Sequence, residues 1–176
     1  VGAGMRVLRG LRRPPTAARI ADLGRRIGVS HKIPVSVLVV IHTAALEVLL
    51  LERAQRPGYW QSVTGSLEAP DEPLEHAARR ELQEETGLAP DLGRLRRWNL
   101  VNTFEIYGHW RHRFAPGTTH NTEHVFSFAL PQRRPVVLAP SEHRDALWLP
   151  WREAAAKCFS WSNRDAILLL GECGGL

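Results

Sequence analysis

The stretch Arg80-Glu-Leu-Gln-Glu-Glu-Thr-Gly-Leu88, RELQEETGL, closes a segment patterned as a helix and crowds Glu81, Glu84 and Glu85 into five residues. Like charges three and four residues apart repel. Carboxylates in a last turn also face the negative end of the helix dipole. On a wet surface each effect costs only about a few tenths of a kcal/mol, and both grow if the face is partly buried. On a helical wheel Leu74, Ala77 and Ala78 fall on the same side as Glu81, Glu84 and Glu85. The stripe is therefore apolar in its first half and carboxylate in its second, whereas an amphipathic helix keeps its core face apolar to the end. Ala77 and Ala78 are small enough to let the helix lie close to a sheet, which turns Glu81 and Glu85 toward the body. Buried carboxylates require partners. Arg80 can pair with one of them, but one guanidinium does not balance three. A hard divalent cation with oxygen ligands does, and Mg²⁺ is the common choice where phosphate is also present. The plain alternative is a solvated acidic helix end.

The rest of the chain sharpens that reading. Its 176 residues suit one domain with a real core, and 44% hydrophobic against 23% charged residues describe a soluble globular chain. No apolar run approaches the roughly 18–20 residues needed to span a membrane; the longest, Val35–Ile41, predicts a buried strand. Cys158 and Cys173 have no metal-ligand spacing, and a reduced, cytoplasmic compartment is the simple reading. The net charge of +5 suggests nucleic acid until its location is considered. Residues 1–32 carry seven Arg and Lys32 against Asp22, a surplus of seven, so the remainder carries −2 of the +5 total. Basicity belongs to an N-terminal extension, residues 1–31, and no specific nucleic-acid partner is expected for the body. Glu68–Glu85 is the opposite, with seven acids against Arg79 and Arg80, a local acidity that asks for a cation.

The extension is Arg-rich and broken by Pro14-Pro15. Its readings are a disordered or non-native segment, a transit peptide or a basic arm, with a short helix over Thr16–Ile27. The body, residues 32–176, is one domain of mixed α and β. PVSVLVVIH, EVLLLER and YWQSVTG are predicted strands. DEPLEHAARRELQEETG is a helix with Pro73 near its first turn and Gly87 at its stop. RLRRWNLVNTFEIYGHW holds at least one strand, HVFSFALP another, and DALWLP a short one. Helices near Trp151–Cys158 and Ser162–Gly171 close the chain, with Ser162 or Asn163 as cap of the second.

Gly65 ends a strand, Glu72 stands eight residues before Arg80, and Arg80-Glu81-Leu82-x-Glu84-Glu85-x-Gly87-Leu88 follows. This series resembles the box of the Nudix hydrolases. Six residues, Ser66–Asp71, separate Gly65 from Glu72 where the family has five, so either the loop is one longer or Asp71 takes the part of Glu72; the spacing to Arg80 favours the longer loop. The resemblance implies an α+β fold, an α/β/α sandwich whose mixed sheet lies between helices and carries a loop-helix-loop catalytic box. It also implies an enzyme, with water attacking a diphosphate linked to another moiety. Glu81, Glu84 and Glu85 would hold Mg²⁺ (Mn²⁺ as the alternative), Glu81 would be first candidate for base, and Arg80 would orient a box carboxylate.

Stretches outside the box, WQSVTGS, FEIYGHWRHRFAPG, HNTEHVFSFALP and SWSNRDAI, are similar to the dihydroneopterin triphosphate pyrophosphatases of the bacterial folate pathway. The likeness runs from about Lys32 to Ile167. By position it implies substrate contacts at Lys32, Arg53, Thr64, Phe104, Glu105, Ile106, Tyr107 and Ser160, and a further metal ligand at Glu142. Lys32 and Arg53 suit phosphate oxygens; Phe104 and Tyr107 suit a flat pterin, with Glu105 accepting from its N–H edge. Alternation through NTFEIYG is equally that of a half-buried strand, which leaves Phe104 and Tyr107 open as core. His109, His112, His120, His124 and His143 have spacings that fit no strong metal site. Trp60, Trp110 and Trp161 suit packing more than stacking. The substrate is a small-molecule pterin triphosphate or, in a broader nucleotide pyrophosphatase, a nucleoside triphosphate. A non-catalytic nucleotide or RNA binder is the third reading, opposed by the intact carboxylate set.

Overall fold

The computed structural model describes residues 31–174. The expected helix over Thr16–Ile27 and the rest of the basic extension lie outside the described residues.

Strand β1 (Val35–Thr43) is the axis of the fold because its VSVLVVIHT sequence is apolar on both faces, and from Ser36 onward every residue is buried. β6 (His120–Leu130) runs parallel to it along one edge, from Val35 opposite Thr122 to Thr43 opposite Leu130. The other edge is shared: β4 (Val63–Ser66) pairs antiparallel with Ser36–Val39, and β2 (Glu47–Arg53) pairs beyond it at His42 opposite Val48. β3 (Trp60–Gln61) and β7 (His143–Pro150) both pair with β2, and β5 (Arg94–Glu105) borders β6. The result is a seven-stranded mixed sheet.

Alternation sends the two sets of β1 side chains to two cores. Val37, Val39 and Ile41 pack with Leu49, Leu51, Phe126 and Phe128 under Ala77, Ala78 and Leu82 of α1 (Leu74–Thr86). Leu38 and Val40 pack with Val48, Leu50 and Val125 under Ala154 and Ala155 of α2 (Trp151–Lys157) and Ala166, Ile167 and Leu170 of α3 (Trp161–Glu172). Helices thus cover both faces of the sheet, the sandwich that the box resemblance implies.

Three local differences from the sequence expectation have identifiable causes. YWQSVTG is two strands, β3 and β4, because the Ser62 N–H donates to Asn163 Oδ1 at 2.7 Å and leaves the ladder there. FEIYGHW does not continue as strand: β5 stops at Glu105 and Gly108–Arg113 forms a 3-10 turn. Neither Ser162 nor Asn163 caps α3. Ser160 does, its Oγ accepting from the Asn163 N–H, while Asn163 turns its amide to Ser160 Oγ at 2.9 Å and to Ser62.

Candidate active site

The C-terminal half of α1 reaches beyond the apolar core to β4, and there its stripe changes character. Pro73 opens the helix without a side-chain cap, and Gly87 stops it in the left-handed conformation, φ 68°, its N–H donating to Gln83 O. Glu81 is 8% exposed and Glu85 only 1%.

Arg80 holds the acidic cluster together. Its Nε donates to Glu72 Oε1 at 3.1 Å, its Nη1 to Glu81 Oε1 at 2.8 Å and to Glu84 Oε2 at 3.1 Å, and its Nη2 to the Ser66 carbonyl at 3.1 Å. The structure therefore puts Glu72, and not the exposed Asp71, against Arg80. Glu72 is fixed further by the Glu68 N–H at 2.7 Å and by His76 Nδ1 at 2.9 Å. The Arg80 guanidinium and these donors hold the Glu72 carboxyl near 2, well below the ordinary carboxylate value. Glu81 goes the other way. Burial outweighs its bond to Arg80, and with the nearby Glu85 and Glu84 charges lifts its pKa to about 7.

Gly65 explains how Glu81 can lie so low. A Cβ at Gly65 would overlap the Glu81 carboxyl group itself, so the strand must be bare where the carboxylate crosses it.

Glu85 points away from this cluster. Its Oε2 accepts from the Thr64 N–H at 3.4 Å and lies 3.2 Å from His143 Nε2. That approach lacks hydrogen-bond alignment, and both ring nitrogens of His143 are buried without a partner. Burial raises the Glu85 pKa against the pull of His143. Oxygens of Glu85 and Glu142 and a nitrogen of His143 converge within 4.8 Å of one another. A pair of carboxylates with an orphaned imidazole can hold a divalent cation. Glu81, bonded to Arg80, is not one of the trio, although the Glu85 charge acts on it. Glu84 is exposed and paired with Arg80, so the structure does not bring it together with Glu85 and Glu142.

Beside this trio opens a cavity of about 540 Å³. Lys32, Arg53, Thr64, Phe104, Glu105, Ile106, Tyr107 and Ser160 all line it, together with Glu85 and Glu142. Lys32 and Arg53 crowd one end with Arg113. Desolvation lowers both their pKa values, with Arg113 adding to it and the nearby glutamates opposing it, although Lys32 keeps much of its surface exposed. Arg53 Nη1 donates to Gln61 Oε1 at 2.8 Å, and its guanidinium sits 5.2 Å from the Trp110 ring centre. Phe104 is half-buried and Tyr107 exposed, and neither belongs to the two cores. Ile106 is buried, its N–H donating to Thr119 O and its carbonyl accepting from Arg111 Nε. Glu105 is exposed and ion-paired with Arg111. Trp60 packs in the core, as its sequence setting suggests, whereas Trp110 and Trp161 line the cavity.

Sequence reasoning passed over two residues. His143 reads in the sequence as one of several histidines without metal-site spacing, and its position next to Glu142 is the available signal. Glu123, 4% exposed and lining the cavity, lies in the alternating run HNTEHV, where nothing marks an inward-facing acid as different from an outward one.

A family model for the NUDIX domain matches residues 32–170. The chain is 46% identical over 140 residues to the dihydroneopterin triphosphate diphosphatase of Escherichia coli, which covers 78% of this chain and 91% of that one. It is 38% identical over 150 residues to the protein of the same name from Haemophilus influenzae, with 84% and 93% covered. The solved structure of the E. coli dihydroneopterin triphosphate pyrophosphohydrolase matches with a TM-score of 0.73 at 44% identity, over 79% of this chain and 95% of that one.

Proposed function

This chain belongs to the NUDIX domain family, and on that premise we propose that it hydrolyses 7,8-dihydroneopterin 3'-triphosphate to dihydroneopterin monophosphate and pyrophosphate, a step of folate biosynthesis. The observation that carries this reading is the cavity, which all eight expected substrate positions line together with Glu85 and Glu142. The division of labour within it fits a ligand with a polyanionic end and a flat end.

Water adds to phosphorus and the α–β anhydride bond breaks, so pyrophosphate leaves with the bridging oxygen. A Mg²⁺ ion (or Mn²⁺) held by Glu85 and Glu142, with Glu81 and Glu84 as further carboxylates of the set, would neutralise phosphate charge and lower the pKa of bound water. Glu81, with its carboxyl near 7, takes the proton of the attacking water at neutral pH. Arg80 keeps Glu81 in place and is itself held by Glu72 and the Ser66 carbonyl. Lys32 and Arg53 meet phosphate oxygens. Phe104 and Tyr107 flank the ring, with Thr64, Glu105, Ile106 and Ser160 as further contacts. Residues 32–176 form the catalytic domain, and residues 1–31 are a basic extension that takes no part in the chemistry. Among the described residues no helix is long and apolar enough to cross a membrane, and Cys158 and Cys173 are unpaired; a cytoplasmic location is part of the proposal.

The test is pyrophosphate release with Mg²⁺, dihydroneopterin triphosphate against the common nucleoside triphosphates. A preference of about 100-fold in kcat/KM for the pterin, about 2.7 kcal/mol of transition-state discrimination, is expected. A flat profile would move the protein to general nucleotide hydrolysis. Phe104→Ala is expected to weaken the pterin substrate more than any nucleotide; equal losses for both would show that Phe104 only supports the fold.

A further inference from the structure

The cavity is electrostatically divided. Lys32, Arg53, Glu85 and Glu142 act on one another at one end, as their mutual charge effects show. Glu123 stands apart. The neighbours that act on it are neutral: Asn102, whose Nδ2 donates to Glu123 Oε1 at 3.3 Å, and Ser162. Among the described residues no Lys, Arg or His nitrogen lies within ion-pair distance of it. Topology accounts for the separation. β1 lies between β4, which carries Thr64 beside Glu85, and β6, which carries Glu123. Two strand spacings, about 10 Å, therefore separate the two regions, room for a bicyclic ring beyond the phosphates.

A carboxylate offers about four acceptor positions, and Asn102 and Ser162 account for two. An acid 4% exposed with unused acceptors and no cation is costly as a carboxylate, and burial raises its pKa; a ligand that supplies donors favours the charged form. Its surroundings suit a flat one. Phe104 and Asn102 on β5 face Asn121 and Glu123 on β6 across the ladder, and Ser36 faces Glu123 from β1. Ser36 Oγ is held by Asn121 Nδ2 at 2.7 Å.

We propose that Glu123 is the specificity-determining residue for the heterocycle, accepting from both N3–H and the exocyclic 2-amino group of the pterin while Phe104 supports the ring face. The inference rests on the functional reading above and deepens it. It also moves recognition of the N–H edge from Glu105, which is exposed and engaged by Arg111, to an acid that has no competing cation. A ring bearing a carbonyl in place of the 2-amino group would set one acceptor against another and be rejected.

The test is Glu123→Gln, which keeps shape and an acceptor for Asn102 but turns an amide N–H₂ toward the ligand's donors. With Mg²⁺ present, KM for dihydroneopterin triphosphate is expected to rise roughly tenfold to a hundredfold, with kcat changed much less. Inhibition by inorganic tripolyphosphate, which probes only the charged end, is expected to be unaltered. Wild-type protein is expected to bind dihydroneopterin itself in preference to its 2-oxo counterpart, and the variant to lose that preference. Unchanged discrimination, or equal loss of tripolyphosphate inhibition, overturns the role of Glu123 and leaves the functional reading standing. Failure of the wild-type protein to act on the pterin triphosphate is a different result, which removes that reading and this inference with it.

Discussion

Glu85→Gln is expected to remove turnover almost completely while leaving the fold intact. Glu85 is the most buried acid of the box, and among the described residues the nitrogens held toward it are the Thr64 N–H and the ring of His143. An amide in its place coordinates a divalent cation poorly. Loss of a partner that merely supports a metal ligand lowers metal affinity or activity about 10- to 100-fold, so loss of the ligand is expected to cost at least about 100-fold. Mg²⁺ titration at fixed substrate checks the cause, since the residual activity should demand far more metal. Turnover at the wild-type level would sink the metal assignment.

The same variant makes a stability prediction with a definite sign. In the metal-free protein burial raises the pKa of Glu81, to about 7, and of Glu85. The folded state therefore holds protons that the unfolded chain releases, and stability falls as pH rises through the folded values. Melting in a chelator should drop between about pH 5 and 8 for the wild type and drop less for Glu85→Gln, which carries no charge there. Glu72 opposes this only in acid: held near 2 by Arg80, it contributes above the ordinary carboxylate value and loses that contribution as pH falls toward 2. A variant that melts well below the wild type at pH 8 would show Glu85 to be a structural partner of His143 instead.

Gly65→Ala is expected to be nearly as damaging to activity and mild for stability. A methyl group at Gly65 would occupy the place of the Glu81 carboxyl group. What it meets is the mobile end of a side chain and not backbone, so Glu81 can swing aside at the loss of its bond to Arg80. The base is then out of position, for which about 100-fold or more in kcat is reasonable. Comparison in a Glu81→Ala background isolates the effect: with the carboxylate already gone, the glycine change should add little, because the two act through one contact. Additive losses would mean that Gly65 serves the strand and not Glu81.

Several features were readable in the chain itself because they depend on local periodicity. VSVLVVIHT is apolar on both faces, so a buried strand follows; helices on both sides of the sheet are what the resemblance to the Nudix box implies. The change from Leu74, Ala77 and Ala78 to Glu81 and Glu85 along one helical stripe marks where this face leaves the apolar core and why a cation is expected there. Spacing to Arg80 singled out Glu72 over Asp71. Other features depend on which distant segments meet, and only the tertiary structure decided them. The Asn163 amide, a hundred residues away in sequence, breaks the strand at Ser62. Arg80 draws Glu84 to the outside while β7 brings Glu142 and His143 to Glu85. Glu105 and Glu123 are alternate-strand acids of the same kind in sequence; one meets Arg111 at the surface, the other the neutral side chains of Asn102 and Ser162. Charge and burial at such positions are set by neighbours that the strand pattern does not encode.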